Sequence, residues 1–260
     1  MRNKDVEILI NKIRNNEFAR PTSGYAVDNV QANVVILEEK YALDFLVFCV
    51  RNPKSCPLLS ISDPGSPYVQ ALFSSTFDIR TDVPKYHIYR NGKIAESPLD
   101  IKNLWKDDFV VFLLGCSFTF EGALMANNIR IKHIEKGLNV AMYQTNIDCV
   151  PSGIFSGKMV VSMRAFPHSV IPRVVEITSR YTQAHGSPIH IGDPGIIGIE
   201  DICKPDYGDA IEISSDEVPV FWGCGVTPQS AVLNSKPEMM ITHAPGHMLI
   251  TDLPNTAVSI

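Results

Sequence analysis

Two segments of this chain join a glycine to a cysteine where an apolar run stops and a helix can begin. In the stretch Val218–Asp252, the run Val218 to Trp222 ends in Gly223-Cys224-Gly225, and Thr227-Pro228-Gln229 follows. Thr is a good N-cap and Pro is favoured at the first helical position, so a helix is expected to start there. A strand, a glycine turn and a helix start aim backbone N–H groups at one spot, which suits a carboxylate or a phosphate. Gly223, Gly225 and Thr227 are therefore candidate substrate contacts. The second segment runs from Phe109–Leu114 into Gly115-Cys116-Ser117, after which Phe118-Thr119-Phe120-Glu121 opens a helical pattern. Either the two segments are strand ends on one side of one sheet, or the echo is coincidence, because glycine after a strand is common.

The side chains near these turns allow several chemistries, each with a plainer alternative. Cys116 and Cys224 sit at strand–helix junctions, where a thiolate is stabilised, although buried inert cysteine is the commoner outcome. Glu121 either complements the helix dipole or, walled by Phe118 and Phe120, is a carboxyl of raised pKa that donates a proton. Asp193, flanked by Gly192, Pro194 and Gly195, reads as a general base or a metal ligand, or as an Asx-turn aspartate that stabilises its own loop. His243 and His247 are four residues apart, but Pro245 and Gly246 exclude the helical zinc geometry. At most one of the two is expected to act, His243 as a base or His247 as a substrate contact. Arg164, ending the strand expected over Lys158–Arg164, is either a bidentate clamp for a substrate carboxylate or an ordinary ion-pair arginine.

The elements that must hold these residues follow from periodicity. Asp5–Phe18 is an amphipathic helix, and Tyr41–Val50, apolar on nearly all sides, reads as a buried helix. Gln31–Leu37 fits a strand or a helix start. Arg90-Asn91-Gly92 between β-prone runs marks a hairpin. Phe109–Leu114 has the pattern of a strand buried on both faces. From Asn139 the order β-β-α-β indicates a smaller layer. The expected fold is α/β: a mixed layered main domain from 1–138 and 205–260, with an inserted smaller α+β two-layer domain over 139–204.

With 260 residues, 45% hydrophobic and 20% charged, the chain has an ordinary soluble balance. A net charge of −5 without a basic cluster argues against nucleic acid as a partner. No apolar run approaches the ~20 residues that cross a bilayer, so no membrane association is expected. The six cysteines form no C-x-x-C pair, which favours reduced thiols in the cytoplasm. There is no P-loop, no H-E-x-x-H helix and no G-x-S-x-G elbow, and Gly223-x-Gly225 is too short for a dinucleotide fingerprint. Neither a metal nor a cofactor is expected. The expected partner is a small-molecule carboxylate substrate, and a homodimer is allowed.

The wording of the motifs is more specific than their chemistry. FWGCGVTPQ and ITHAPGHMLITD resemble the C-terminal signature of the D-glutamate cyclase family. The resemblance continues through Gly115-Cys116-Ser117-Phe118, Tyr143-Gln144-Thr145-Asn146, Pro151-Ser152-Gly153, Met163-Arg164 and His190-Ile191-Gly192-Asp193-Pro194. It is dense from Phe109 onward and looser through Arg20-Pro21-Thr22 and Ser62-Asp63-Pro64-Gly65. It adds Asn146 to the expected substrate contacts. It implies a lyase that closes D-glutamate to 5-oxo-D-proline with loss of water. The bottom-up alternatives are a hydro-lyase on another small hydroxy or amino acid, or a non-catalytic carboxylate binder.

Overall fold

The computed structural model describes residues 4–69 and 77–260. In chain order, the first part holds α1 (Lys4–Arg14), β1 (Asn29–Glu38), α2 (Glu39–Arg51), β2 (Leu58–Ile61), β3 (Tyr68–Val69) and β4 (Phe77–Asp78). Next come β5 (Tyr86–Arg90), β6 (Lys93–Glu96), β7 (Phe109–Gly115), α3 (Phe118–Ala126) and α4 (Lys132–Glu135). Then follow β8 (Ala141–Asp148), β9 (Lys158–Pro167), α5 (Ile171–Ser179), β10 (His190–Ile191) and β11 (Glu217–Gly223). The chain closes with α6 (Thr227–Ser235), β12 (Met239–His243) and β13 (Leu249–Pro254).

A seven-stranded sheet runs β2-β7-β1-β12-β5-β6, with β13 also paired to β1, and a four-stranded sheet runs β10-β11-β9-β8. Every strand pairing among the described residues is antiparallel. The unbroken apolar runs become strands because each feeds a core on either face. Val34, Ile36, Val111 and Leu113 point into one core, and Val35, Leu37, Phe112 and Leu114 into the other. The small sheet divides its residues the same way, Trp222 to the first core and Phe221 to the second. Helices α1, α3 and α5 cover the first core, and α2 and α6 the second.

The result is a mixed, layered arrangement of helices and strands. Residues 139–204 supply three strands of the small sheet, and β11, from later in the chain, lies between β10 and β9. Gln31–Leu37 resolves as a strand, the central one. The Asn91-Gly92 hairpin forms with both residues at positive φ, 50° and 79°, as a two-residue primed turn requires. The expectation for Tyr41–Val50 needs correction. Helix α2 buries only the face of Phe45, Phe48 and Cys49, while Leu43 and Val50 are exposed. Among the described residues, no helix is long and apolar enough to cross a membrane.

Candidate active site

Strand β7 belongs to the large sheet and β11 to the small one, so the two Gly-Cys turns do not share a sheet. They meet nonetheless. Cys116, Phe118, Cys224 and Val226 pack in one buried cluster with Val140, Met142, Val160 and Met248. Asn33 of β1 ties the turns together. Its Nδ2 donates to the Gly115 carbonyl at 2.6 Å, and a Cβ on Gly225 would fall 2.1 Å from the same amide. Behind the turns, main chain replaces side chain. A Cβ on Gly115 would lie 1.7 Å from the Gln183 carbonyl oxygen, and one on Gly223 2.2 Å from that of Lys54.

The turns match in detail. The Phe118 amide donates to Cys116 Sγ at 3.5 Å, and the Val226 amide donates to the Cys224 sulfur. Each leads straight into a nine-residue helix, α3 or α6, whose N-terminus carries partial positive charge. Among the described residues, neither the Ser117 nor the Gly225 amide has a protein acceptor. Two helix starts with free amides therefore lie beside one buried cluster. Helix α6 begins at Thr227-Pro228 as expected, but the Thr227 hydroxyl bonds Val160 and the Cys224 carbonyl (2.7 Å) and is fully buried. Its role there is to pin α6 to β9.

The thiolate expectation is corrected. Burial raises the Cys116 thiol far above its ordinary value, and it pushes Cys224 up to about 11 despite the Val226 amide and Arg164. Both are neutral thiols at pH 7.

Arg164 departs from its expected role as an open clamp. Its side chain is buried, and its fork is filled from within the chain. Nε donates to Glu121 Oε1 at 2.9 Å, Nη1 to Ser162 Oγ at 3.0 Å and Nη2 to Ser117 Oγ at 3.0 Å, with a further short bond from Nη2 to Glu121. The guanidinium lies over the rings of Phe120 and Trp222, 5.2 and 5.5 Å from their centroids. His133 Nε2 is 3.2 Å from Glu121 Oε1. Glu121 is not the expected proton donor. Burial pushes its carboxyl up, but Arg164 and His133 together outweigh this and hold it below the ordinary glutamate value.

The remaining candidates stand elsewhere. Asp193 is exposed, and its Oδ1 accepts the Gly195 amide at 2.9 Å, the Asx-turn alternative. Asn146, also exposed, donates to the Ile196 carbonyl at 3.3 Å and so belongs with the Asp193 loop rather than with the turns. His243 is fully buried, its Nδ1 against the main chain of Val34 and its Nε2 without a partner. Burial lowers it to about 3, so the ring is neutral near pH 7. His247 is half-buried, lowered by desolvation, with Nδ1 3.1 Å from the Pro245 carbonyl. Among the described residues, no three His, Cys, Asp or Glu side chains form a group that could hold a metal.

Sequence reasoning missed Asn33, Ser162, His133 and His185. The signal for Asn33 was an amide set between Ala32 and the apolar run Val34–Leu37. The other three carried no local signal.

Residues 110–252 match the family model described as D-glutamate cyclase. That span contains both Gly-Cys turns and the whole network around Arg164. The chain belongs to the D-glutamate cyclase family. Its relatives include "Putative hydro-lyase YcsI" of Bacillus subtilis (strain 168), 54% identical over 99% of this chain and 98% of its own. "Putative hydro-lyase GK2103" of Geobacillus kaustophilus is 54% identical over 95% of this chain and 94% of its own. "Putative hydro-lyase Teth514_1597" of Thermoanaerobacter sp. (strain X514) is 55% identical over 93% of this chain and 91% of its own. Among solved structures, a nitrogen repressor-like protein MJ0159 from Methanococcus jannaschii shares 13% identity at a TM-score of 0.39, covering 95% of this chain and 98% of its own. That likeness is too loose to bear on fold or function.

Proposed function

We propose that this family member is a hydro-lyase that closes D-glutamate to 5-oxo-D-proline and releases water. The observation that carries the reading is the convergence of two Gly-Cys turns and two helix N-termini on one buried cluster, inside the segment that matches the family. Glutamate brings two carboxylates, and two sets of main-chain amides are available to receive them. The γ-carboxyl passes through a tetrahedral oxyanion, which fixed N–H donors stabilise best when water is excluded. Ring closure needs no second substrate, so orientation of the amine against the γ-carbon supplies much of the rate. Arg164 serves from behind, orienting the Ser117 hydroxyl at the first turn.

The balance is simple. The ammonium gives up two protons, one C–N bond forms, one C–O bond breaks, and the departing oxygen leaves as water. Incubation of purified protein with D-glutamate, followed by chiral chromatography, is expected to yield 5-oxo-D-proline. L-glutamate and a panel of small hydroxy and amino acids are run alongside. Dehydration of a panel acid with D-glutamate untouched would redirect the reading to another substrate. Binding without turnover of any of them would end the enzyme reading.

A further inference from the structure

We propose that His185 takes the proton from the substrate's amine, an inference that rests on the ring-closure reading above. Ring closure requires a neutral amine, and the groups expected to provide it are poorly placed. Asp193 is exposed and spends its carboxylate on Gly195, and His243 is locked against Val34 in the sheet. His185 is placed differently. It follows the 3-10 turn Thr182–Ala184 and sits at φ 76°, a left-handed conformation that is costly for a bulky side chain. Such strain persists only where surrounding structure imposes it, and here the imposing contacts are the two turns themselves. The Gln183 carbonyl, two residues before His185, crosses Gly115, and the Lys54 carbonyl crosses Gly223. The His185 ring is bound to that same Lys54 carbonyl, with Nδ1 at 2.8 Å.

A carbonyl only accepts, so Nδ1 must carry the ring proton. That leaves Nε2 with a free lone pair: the side chain is buried, the nearby Gly115 carbonyl is itself an acceptor, and among the described residues no donor reaches Nε2. An unpartnered buried acceptor costs free energy unless something else supplies its hydrogen bond. An ammonium group is a donor of the right kind. His185 itself lines, with Lys54, Ser179, Thr182 and Ser187, a cavity of about 240 Å³ that opens to solvent.

Burial, with smaller contributions from the charges of Arg164 and Lys54, lowers the ring to about 4, against the Lys54 and Gly115 carbonyls, which favour the protonated form. A bound dicarboxylate adds negative charge and moves the balance toward protonation. One ammonium proton passes to Nε2, the amine nitrogen attacks the γ-carbon, and Nε2 returns the proton to the departing oxygen. The second nitrogen proton leaves with the same oxygen once the C–N bond has formed. No separate acid is then needed, in keeping with Glu121 being held as a carboxylate.

Two variants test this. In His185→Asn the residue tolerates positive φ, and its amide can replace the bond to Lys54, but the basic Nε2 is gone. A fall in kcat of ~100-fold or more is expected, with KM changed less than ~3-fold and little change in thermal unfolding. His185→Gly is at ease at the same φ and leaves space for added imidazole, which is expected to restore kcat by at least ~10-fold. Wild-type kcat in His185→Asn, or no rescue of a folded His185→Gly, overturns the proposal. Wild-type protein tested in parallel separates the two readings. If it forms no 5-oxo-D-proline, the ring-closure reading fails and takes this inference with it; if it does, only His185 is in question.

Discussion

At the scale of single residues, the site combines groups whose charge the fold has fixed in opposite senses. Arg164 brings a full charge into the interior, and Glu121 neutralises it with a carboxylate held below its usual pKa. His185 and His243 are buried as neutral rings, at about 4 and about 3. An unfolded chain protonates both near pH 6.5, whereas the folded protein resists until the pH falls to those lower values. Between the two limits the unfolded state binds more protons, so stability present at pH 7 is lost as the pH falls. Each ring contributes up to about 1.4 kcal/mol per pH unit, and the two together about 2.7. Glu121 adds a loss in the same direction below its unfolded value, as the pH approaches its lower folded one. Urea unfolding between pH 7 and pH 4.5 is expected to show stability falling steeply below pH 6. In His243→Gln the slope should fall by up to about 1.4 kcal/mol per pH unit. A stability curve flat from pH 7 to 5 would mean that these rings are not buried neutral.

At the scale of elements, the two turns depend on main chain passing where a side chain would otherwise stand. Strand β7 can end against the Thr182–Ala184 turn only because Gly115 has no Cβ; the Gln183 oxygen would be 1.7 Å away. The obstacle is backbone on both sides, so it cannot rotate aside. Gly115→Ala is expected to cost ~3 kcal/mol or more, at the upper end of overpacking changes, and to abolish turnover. Gly192 is the useful contrast. A Cβ there meets nothing within 4 Å, and only its φ of 102° opposes substitution. Gly192→Ala should cost ~1–3 kcal/mol from backbone strain alone and leave the paired turns intact. Equal denaturant midpoints for the two variants would show that close approach at Gly115 is not what holds the turn.

At the scale of the molecule, two sheets share both main cores. Trp222 and Phe166 of the small sheet pack in the same core as Val34 and Leu113 of the large one, and Phe221 and Met163 in the same core as Val35 and Leu114. Strand β11, central in the small sheet, comes from beyond residue 204. Neither sheet can lose its partner without exposing a core face. Calorimetry is therefore expected to give one cooperative transition, with the calorimetric and van't Hoff enthalpies in agreement. Two resolved transitions would show that 139–204 folds independently.

The sequence alone determined what local chemistry can encode. The run FVVFLL had to be covered on both faces, Asn91-Gly92 had to turn, and Thr227-Pro228 had to start a helix, because each depends on neighbours a few residues away; QANVVIL stayed open between a strand and a helix start. The same locality marked the turn from Gly223 to Thr227 as one that suits an anion. Only the tertiary structure decided that these turns end strands in different sheets and still meet. Only it showed that the Arg164 fork is spent on Glu121, 43 residues distant, and that Glu121 is ionised rather than protonated. Asp193 gave a sequence reader small neighbours and a strand end, and the fold put it in a solvent-facing turn. His185 gave no signal at all, since its importance lies in Lys54 and Gly115, which the chain reaches only by folding. Ionisation and orphaned hydrogen bonds are set by partners far away in sequence and close in space, and no periodicity records them.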